Sequence, residues 1–285
     1  MTDEPPRVDE DAEQDTEQDA EQDAEQDLRT ALEKAAQAPT LLVASDFDGA
    51  LSEFTVDPDD SAPAPGAMDA LRGLAALPDT HVAVASGRDV RTLRDLTGVG
   101  SAEAITLIGS HGAEATRPNV ADQNRLDDEQ RALLDDLTAK VAELIDRHPG
   151  ARLERKGAAV AVHTRGLPKD DAEAALREAA ALGEGRTDVR TLRGKSVVEL
   201  SVSHADKGTA IAALGREVGS DAIFYSGDDV TDEDAFRALD SDEGDVPVKV
   251  GSGDTHAAYR VETVSDVVET LEQLRELREQ ATGES

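Results

Sequence analysis

The sequence predicts an α/β protein whose parallel-sheet core is interrupted by an inserted α+β module. Three observations carry this. Apolar, β-branched runs that empty into loops of Gly and Asp, each followed by a helical pattern, recur before about residue 116 and again after 204. Between those limits, helices alternate with short strands of alternating polarity, as in antiparallel pairing. At 285 residues the chain can bury one large core or two smaller ones.

Residues 1 to 27 are nearly all Asp, Glu, Gln, Pro and Ala, and "EQD" recurs every four residues up to Asp27. That repeat sets like charges side by side on any helix and offers no apolar face to offset ordering entropy. The expectation is a disordered acidic arm, with a partner-binding tail as the alternative. A short helix is expected at 28 to 38, then the buried strand "TLLVASDFDG" and a helix near 67 to 77. "HVAVASGRD" and "AITLIGSHGAE" read as two more strands ending in loops, with a helix starting at Asp89 between them. A long amphipathic helix at 127 to 148, strands in "ARLERKGAAVAVHTR", a helix at 170 to 182 and strands near "DVRTL" and "SVVELSV" make up the insertion. The core pattern returns with a helix after Lys207, the strand "AIFYSGDD", a helix after Thr231, the strand "VPVKVG" and a last helix at 264 to 278. The expected organisation is an arm at 1–27, a core at 28–116 and 204–285, and a cap at 117–203.

Sixty-two Asp and Glu stand against 29 Lys and Arg, a net charge of −33. That excludes nucleic acid as the main partner, and an anionic substrate must be held locally by a metal or a few placed bases. Lysine and aromatics are scarce and the acid excess runs through the whole chain, as suits a halophilic protein in concentrated salt, where charge repulsion reaches only about 3 Å at 1 M. Without cysteine there is no disulfide or thiolate chemistry. No signal-like start or membrane-length apolar run is present, so the expected compartment is the cytoplasm, with no membrane partner.

Four loops carry the chemistry. "DFDGAL" places Asp46 and Asp48 at the end of the first core strand, a pair suited to phosphoryl transfer in which one carboxylate attacks and the other manages a proton. "SGDDVTDE" gathers Asp228, Asp229, Asp232 and Glu233 after another strand, where four acids call for a hard cation such as Mg²⁺. A solvated acidic helix start would give the same letters. Ser86 in "SGRD" offers a hydroxyl beside a helix N-terminus, as a phosphate ligand or a simple cap. Lys207 opens a helix, where the dipole disfavours a cation unless an anion faces it.

In this order the four loops resemble the motifs of the haloacid-dehalogenase (HAD) superfamily, which implies a HAD-like Rossmannoid core. The resemblance assigns nucleophile to Asp46, acid and base to Asp48, phosphate binding to Ser86, Gly87 and Lys207, and Mg²⁺ to Asp46, Asp228 and the backbone carbonyl of Asp48. Asp229 and Asp232 would orient those ligands. "ERKGAAVAVHTR", "GKSVVEL", "GSHG" and "GDDVTDEDAF" resemble the trehalose-6-phosphate phosphatases over about 41 to 268. This implies hydrolysis of trehalose 6-phosphate, with Arg88, His111, Glu154, Lys156, Arg165, Lys195 and Glu199 on the substrate and a trehalose-phosphate synthase as candidate partner. Acid and base pairs suit sugar hydroxyls, which donate and accept, although cross-strand ion pairing accounts for the same cap residues. His163 is expected to be structural. A phosphatase for another sugar phosphate and a non-catalytic sugar-phosphate binder are the alternatives. One departure is Ala50, where the family pattern has Thr; the missing hydroxyl should slow the enzyme by roughly one hydrogen bond, about 1 kcal/mol.

Overall fold

The computed structural model describes residues 10–55, 60–123, 126–194, 196–203 and 205–283. In chain order the first part is α1 (Glu10–Ala36), β1 (Leu41–Asp46), α2 (Ala67–Ala75), β2 (Thr80–Ala85), α3 (Val90–Thr97), β3 (Ile105–Gly109), β4 (Glu114–Ala115) and α4 (Pro118–Gln123). Next come α5 (Asp128–Arg147), β5 (Arg152–Arg155), β6 (Ala159–His163), α6 (Lys169–Ala181), β7 (Arg190–Gly194) and β8 (Val197–Ser201). The chain closes with α7 (Lys207–Val218), β9 (Ala222–Gly227), α8 (Glu233–Ala238), β10 (Val246–Val250), β11 (Tyr259–Val261) and α9 (Val264–Gly283).

One sheet runs β11-β10-β9-β1-β2-β3-β4, parallel throughout except for the antiparallel β4. Every residue of β1 is buried because helices cover both faces. Leu41 and Val43 join Leu32, Leu71, Leu93, Leu271 and Leu274 on one side; Leu42 and Ala44 meet Ile211, Leu214, Tyr225 and Phe236 on the other. Since β1 pairs with β2 on one edge and β9 on the other, the loops after Asp46, Ala85 and Gly227 leave the sheet side by side. Chain order reverses there, and such a crevice at the carboxyl ends of parallel strands is where ligands bind.

The second sheet, β5-β6-β8-β7, is antiparallel. One face packs Val160, Val162, Val198 and Leu200 against Leu137, Val141, Leu144 and Ala175 of α5 and α6. The register puts Glu154, Ala161, Glu199 and Leu192 in one row on the other face.

Three expectations change. A continuous α1 replaces the disordered arm from residue 10 onward. Between 10 and 36 there is no Gly or Pro and the Ala, Glu and Gln are strong helix formers, so a helix anchored by buried Leu28, Leu32, Ala35 and Ala36 propagates toward the N-terminus. Second, α4 falls inside the expected cap at 117–203 yet packs on α7 and places Val120 in the main core. Third, the two- and three-residue strands β4 and β11 are too short to leave a period in the sequence.

Candidate active site

Asp46 ends β1 and is 4% exposed. Lys207, the first residue of α7, enters the same pocket because Asp206 caps the helix through the Thr209 amide. Its ammonium lies 2.7 Å from both Asp46 Oδ1 and Asp232 Oδ1. Burial alone would lower the Lys207 pKa; the carboxylates of Asp232 and Asp46 more than reverse that and raise it. Burial pushes Asp46 well above the usual carboxylate range against the pull of Lys207, with Asp232 and Asp228 pushing the same way.

Asp232 is fully buried and fully used. Its Oδ1 also accepts from the Tyr225 hydroxyl at 2.7 Å, and its Oδ2 accepts the amides of Asp228 at 3.0 Å and Asp229 at 2.9 Å. Asp228 is the opposite case, since its buried Oδ1 has no partner and burial followed by the charge of Asp232 raises its pKa to about 7. Gly49, at φ 88°, permits this placement: a Cβ there would stand 2.2 Å from the Asp228 carboxyl carbon. Lys249 donates to the Asp228 carbonyl. Asp46, Asp228 and Asp232 each present an oxygen within 4.8 Å of the others. An oxygen-only set with an orphaned buried carboxylate fits a hard divalent cation.

Asp48 points another way. The Arg88 guanidinium grips it with Nε to Oδ2 at 2.8 Å and Nη2 to Oδ1 at 2.7 Å. Arg88, expected on the substrate, is here on Asp48, because a planar fork matches a carboxylate as well as a phosphate. Ser86 is completely buried; its hydroxyl accepts the Arg88 amide at 3.0 Å and lies 3.4 Å from Asp48 Oδ2. Gly87 follows, and the His111 ring lies so close that a Cβ at Gly87 would be 2.5 Å from it. His111 keeps an unpartnered buried Nδ1, and its pKa falls to about 3 through burial, then the cations Lys207, Lys156 and Arg190.

The polar face of the second sheet meets this pocket. Lys156 Nζ lies 2.5 Å from Glu199 Oε2 and 3.4 Å from the Gly87 carbonyl, which ties β8 to the loop after β2. Glu154 pairs with His163 at 2.7 Å, and that hydrogen bond lowers the Glu154 pKa. Arg165 sits on the exposed turn after β6, at the opposite end of that strand from Lys156. Lys195 lies outside the described residues. Asp229 is exposed and its carboxylate accepts the Val230 amide at 2.7 Å, while its carbonyl accepts the Asp232 amide at 3.0 Å.

Several participants carry no sequence signal of their own. Ser61 touches both Arg88 and Asp48, and Tyr225 and Lys249 brace the acid loop. Arg190 of β7 crosses to Asp234 of α8 at 2.5 Å. Tyr225 was the most findable, being one of two tyrosines and lying on the strand that feeds the acid cluster.

A family model described as Trehalose-phosphatase matches residues 44–265. The trehalose-6-phosphate phosphatase of Escherichia coli is 32% identical over 232 residues, covering 80% of this chain and 84% of that one. The trehalose-phosphate phosphatase of Mycobacterium leprae is 34% identical over 248 residues, again 80% of this chain but 56% of the relative, so the chain spans little more than half of it. The solved trehalose-6-phosphate phosphatase of Aspergillus fumigatus superposes with a TM-score of 0.62 at 25% identity, covering 87% of this chain and 97% of that one. The fold, a parallel core with an inserted cap, is shared with HAD-like phosphatases.

Proposed function

Because the chain belongs to the trehalose-phosphatase family, a family of phosphoric monoester hydrolases, we propose that it hydrolyses trehalose 6-phosphate to trehalose and phosphate, with Mg²⁺ as cofactor and Asp46 as nucleophile. The observation that carries this reading is the buried Asp46, held by Lys207 and facing the orphaned carboxylate of Asp228. Asp46, Asp228 and the Asp48 carbonyl would hold the metal, which when bound neutralises charge on the phosphoryl oxygens.

A carboxylate oxygen of Asp46 attacks phosphorus in line, the bond from phosphorus to the sugar oxygen breaks, and Asp48 delivers its proton to that departing oxygen. In the second half a water attacks the phosphorus of aspartyl-phosphate 46, giving its proton to Asp48 and returning Asp46 as a carboxylate. Lys207 spends two of its three donors on Asp46 and Asp232, leaving one for a phosphoryl oxygen. The Ser86 hydroxyl and the Gly87 amide complete the phosphate contacts, and an arriving phosphate competes with Asp48 for the Arg88 fork. Lys156, Glu199 and Glu154 face the sugar from the cap side and His111 from the core side, with Arg165 and Lys195 assigned to it by resemblance alone.

The loop that lacks the Thr hydroxyl is still braced. Ala50 is fully buried, and the Phe47 carbonyl accepts the amides of Leu51 at 3.0 Å and Ser52 at 2.9 Å. The turn therefore keeps its backbone bonds without that hydroxyl. A cytoplasmic site of action, salt-adapted stability and a trehalose-phosphate synthase that supplies the substrate belong to the same reading. The test is kcat/KM across trehalose 6-phosphate, sucrose 6-phosphate, mannosylglycerate phosphate and glucose 6-phosphate. Preference for trehalose 6-phosphate is expected; preference for another sugar would move the assignment to that phosphate.

A further inference from the structure

We propose that Ser61 is a positioning residue for Asp48, holding it in line for proton transfer; this rests on the phosphatase reading above. Ser61 is 6% exposed and lies on the loop that returns from β1 toward α2. Its hydroxyl accepts from Arg88 Nη2 at 3.0 Å, stands 3.5 Å from Asp48 Oδ1 and lies 3.2 Å from the Thr55 hydroxyl. Arg88 Nη2 is itself the atom that reaches Asp48 Oδ1, so Ser61, Arg88 and Asp48 close a triangle around one carboxylate oxygen.

The need for such a partner follows from what the reaction asks of Asp48. It must carry a proton when the sugar oxygen departs and be free of it when water attacks. Arg88 can only donate, so it grips both oxygens of the ionised carboxylate but only the unprotonated oxygen of the acid. A hydroxyl on Oδ1 can donate whether the proton of Asp48 is present on Oδ2 or gone, so Ser61 can keep Asp48 in place in both half-reactions. When a phosphate draws Arg88 away, Ser61 remains as a fixed contact on Oδ1, while Ser86 on the Oδ2 side turns to the phosphate.

Leaving-group dependence tests this. A sugar alkoxide needs the proton from Asp48, whereas para-nitrophenolate departs without it, and kcat/KM reports the step in which the leaving group is lost. Ser61→Ala is expected to lower kcat/KM for trehalose 6-phosphate about tenfold, the size of one lost hydrogen bond, with para-nitrophenyl phosphate changed less than about twofold. Ser61→Thr, which keeps the hydroxyl, should restore most of the loss. If Ser61→Ala does not fold, Ser61→Cys, which keeps the volume and weakens the hydrogen bond, should show the same split. Equal losses on both substrates, or none on trehalose 6-phosphate, would overturn the inference. A parent enzyme inert on both phosphates would instead overturn the phosphatase reading.

Discussion

The core pocket and the cap face both pair acids with bases, but they do so under different physical conditions. Lys207, Asp46 and Asp232 have side chains no more than 5% exposed, and each contact is shared with a further group. On the cap, Lys156 and Glu199 are 14% and 9% exposed, while Glu154 and His163 stand half in water. Buried charges that satisfy one another are costly to separate, whereas open pairs exchange partners with solvent at little cost. Under the proposed function the difference suits a division of labour in which the core holds one geometry through the reaction and the open Glu154–His163 pair of the cap gives way to the hydroxyls of a sugar.

Breaking the core pairing should have the larger effect on the fold. Lys207→Met leaves Asp46 and Asp232 without their shared cation, and urea unfolding should show a loss of about 3–5 kcal/mol. A loss below about 1 kcal/mol would mean that the two acids are held by something other than Lys207. Glu199→Ala on the cap should act on substrate instead. Its kcat/KM for trehalose 6-phosphate should fall by about 1–3 kcal/mol in transition-state terms, with para-nitrophenyl phosphate turned over as by the parent. Equal loss on both substrates would make the Lys156–Glu199 pair a structural strut.

His111 sits where the two regions meet and sharpens the contrast through pH. Burial, then Lys207, Lys156 and Arg190, hold its pKa near 3, so the folded protein keeps it neutral while the unfolded chain protonates it below about 6.5. The unfolded state therefore binds more protons between those values, and stability falls as pH drops through that window. His111→Asn removes this term. The melting temperature of the variant should drop less than that of the parent between pH 7 and pH 5, a difference on the order of 1 kcal/mol. Parallel drops would place the acid sensitivity elsewhere. The smallest effect is expected at the rim, where the Arg190 and Asp234 side chains are 31% and 23% exposed. A double-mutant cycle of Arg190→Gln and Asp234→Asn should give a coupling of about 0.2–1 kcal/mol, diminishing in salt.

What could be read from the sequence divides along the same line. Asp46, Ser86, Lys207 and Asp228 each stand at the junction of a buried strand or helix with a loop, so local pattern and chemistry point to them together. Parallel pairing of β1 with β2 and β9 then does the assembling. Ser61 and Arg190 touch the site through contacts 13 to 44 residues away along the chain, and no local pattern marks such a pairing. Arg88 was expected on the substrate and grips Asp48 in the structure, a partner that no local pattern names because a guanidinium fork reads any anion within reach. The acidic repeat misled for a related reason. Its composition argues against an independently stable helix, while the apolar stripe that anchors α1 begins only at Leu28.

The central claim is that phosphate leaves trehalose 6-phosphate by attack from Asp46 at a metal-assisted site. The most direct measurement is phosphate release from trehalose 6-phosphate in multimolar KCl, by the parent and by Asp46→Asn, each with Mg²⁺ and with EDTA. The parent should release phosphate with Mg²⁺, lose that activity in EDTA and regain it when Mg²⁺ is returned, while Asp46→Asn should be at least about 10³-fold slower throughout. Full release in EDTA, or an Asp46→Asn variant as fast as the parent, would contradict the account.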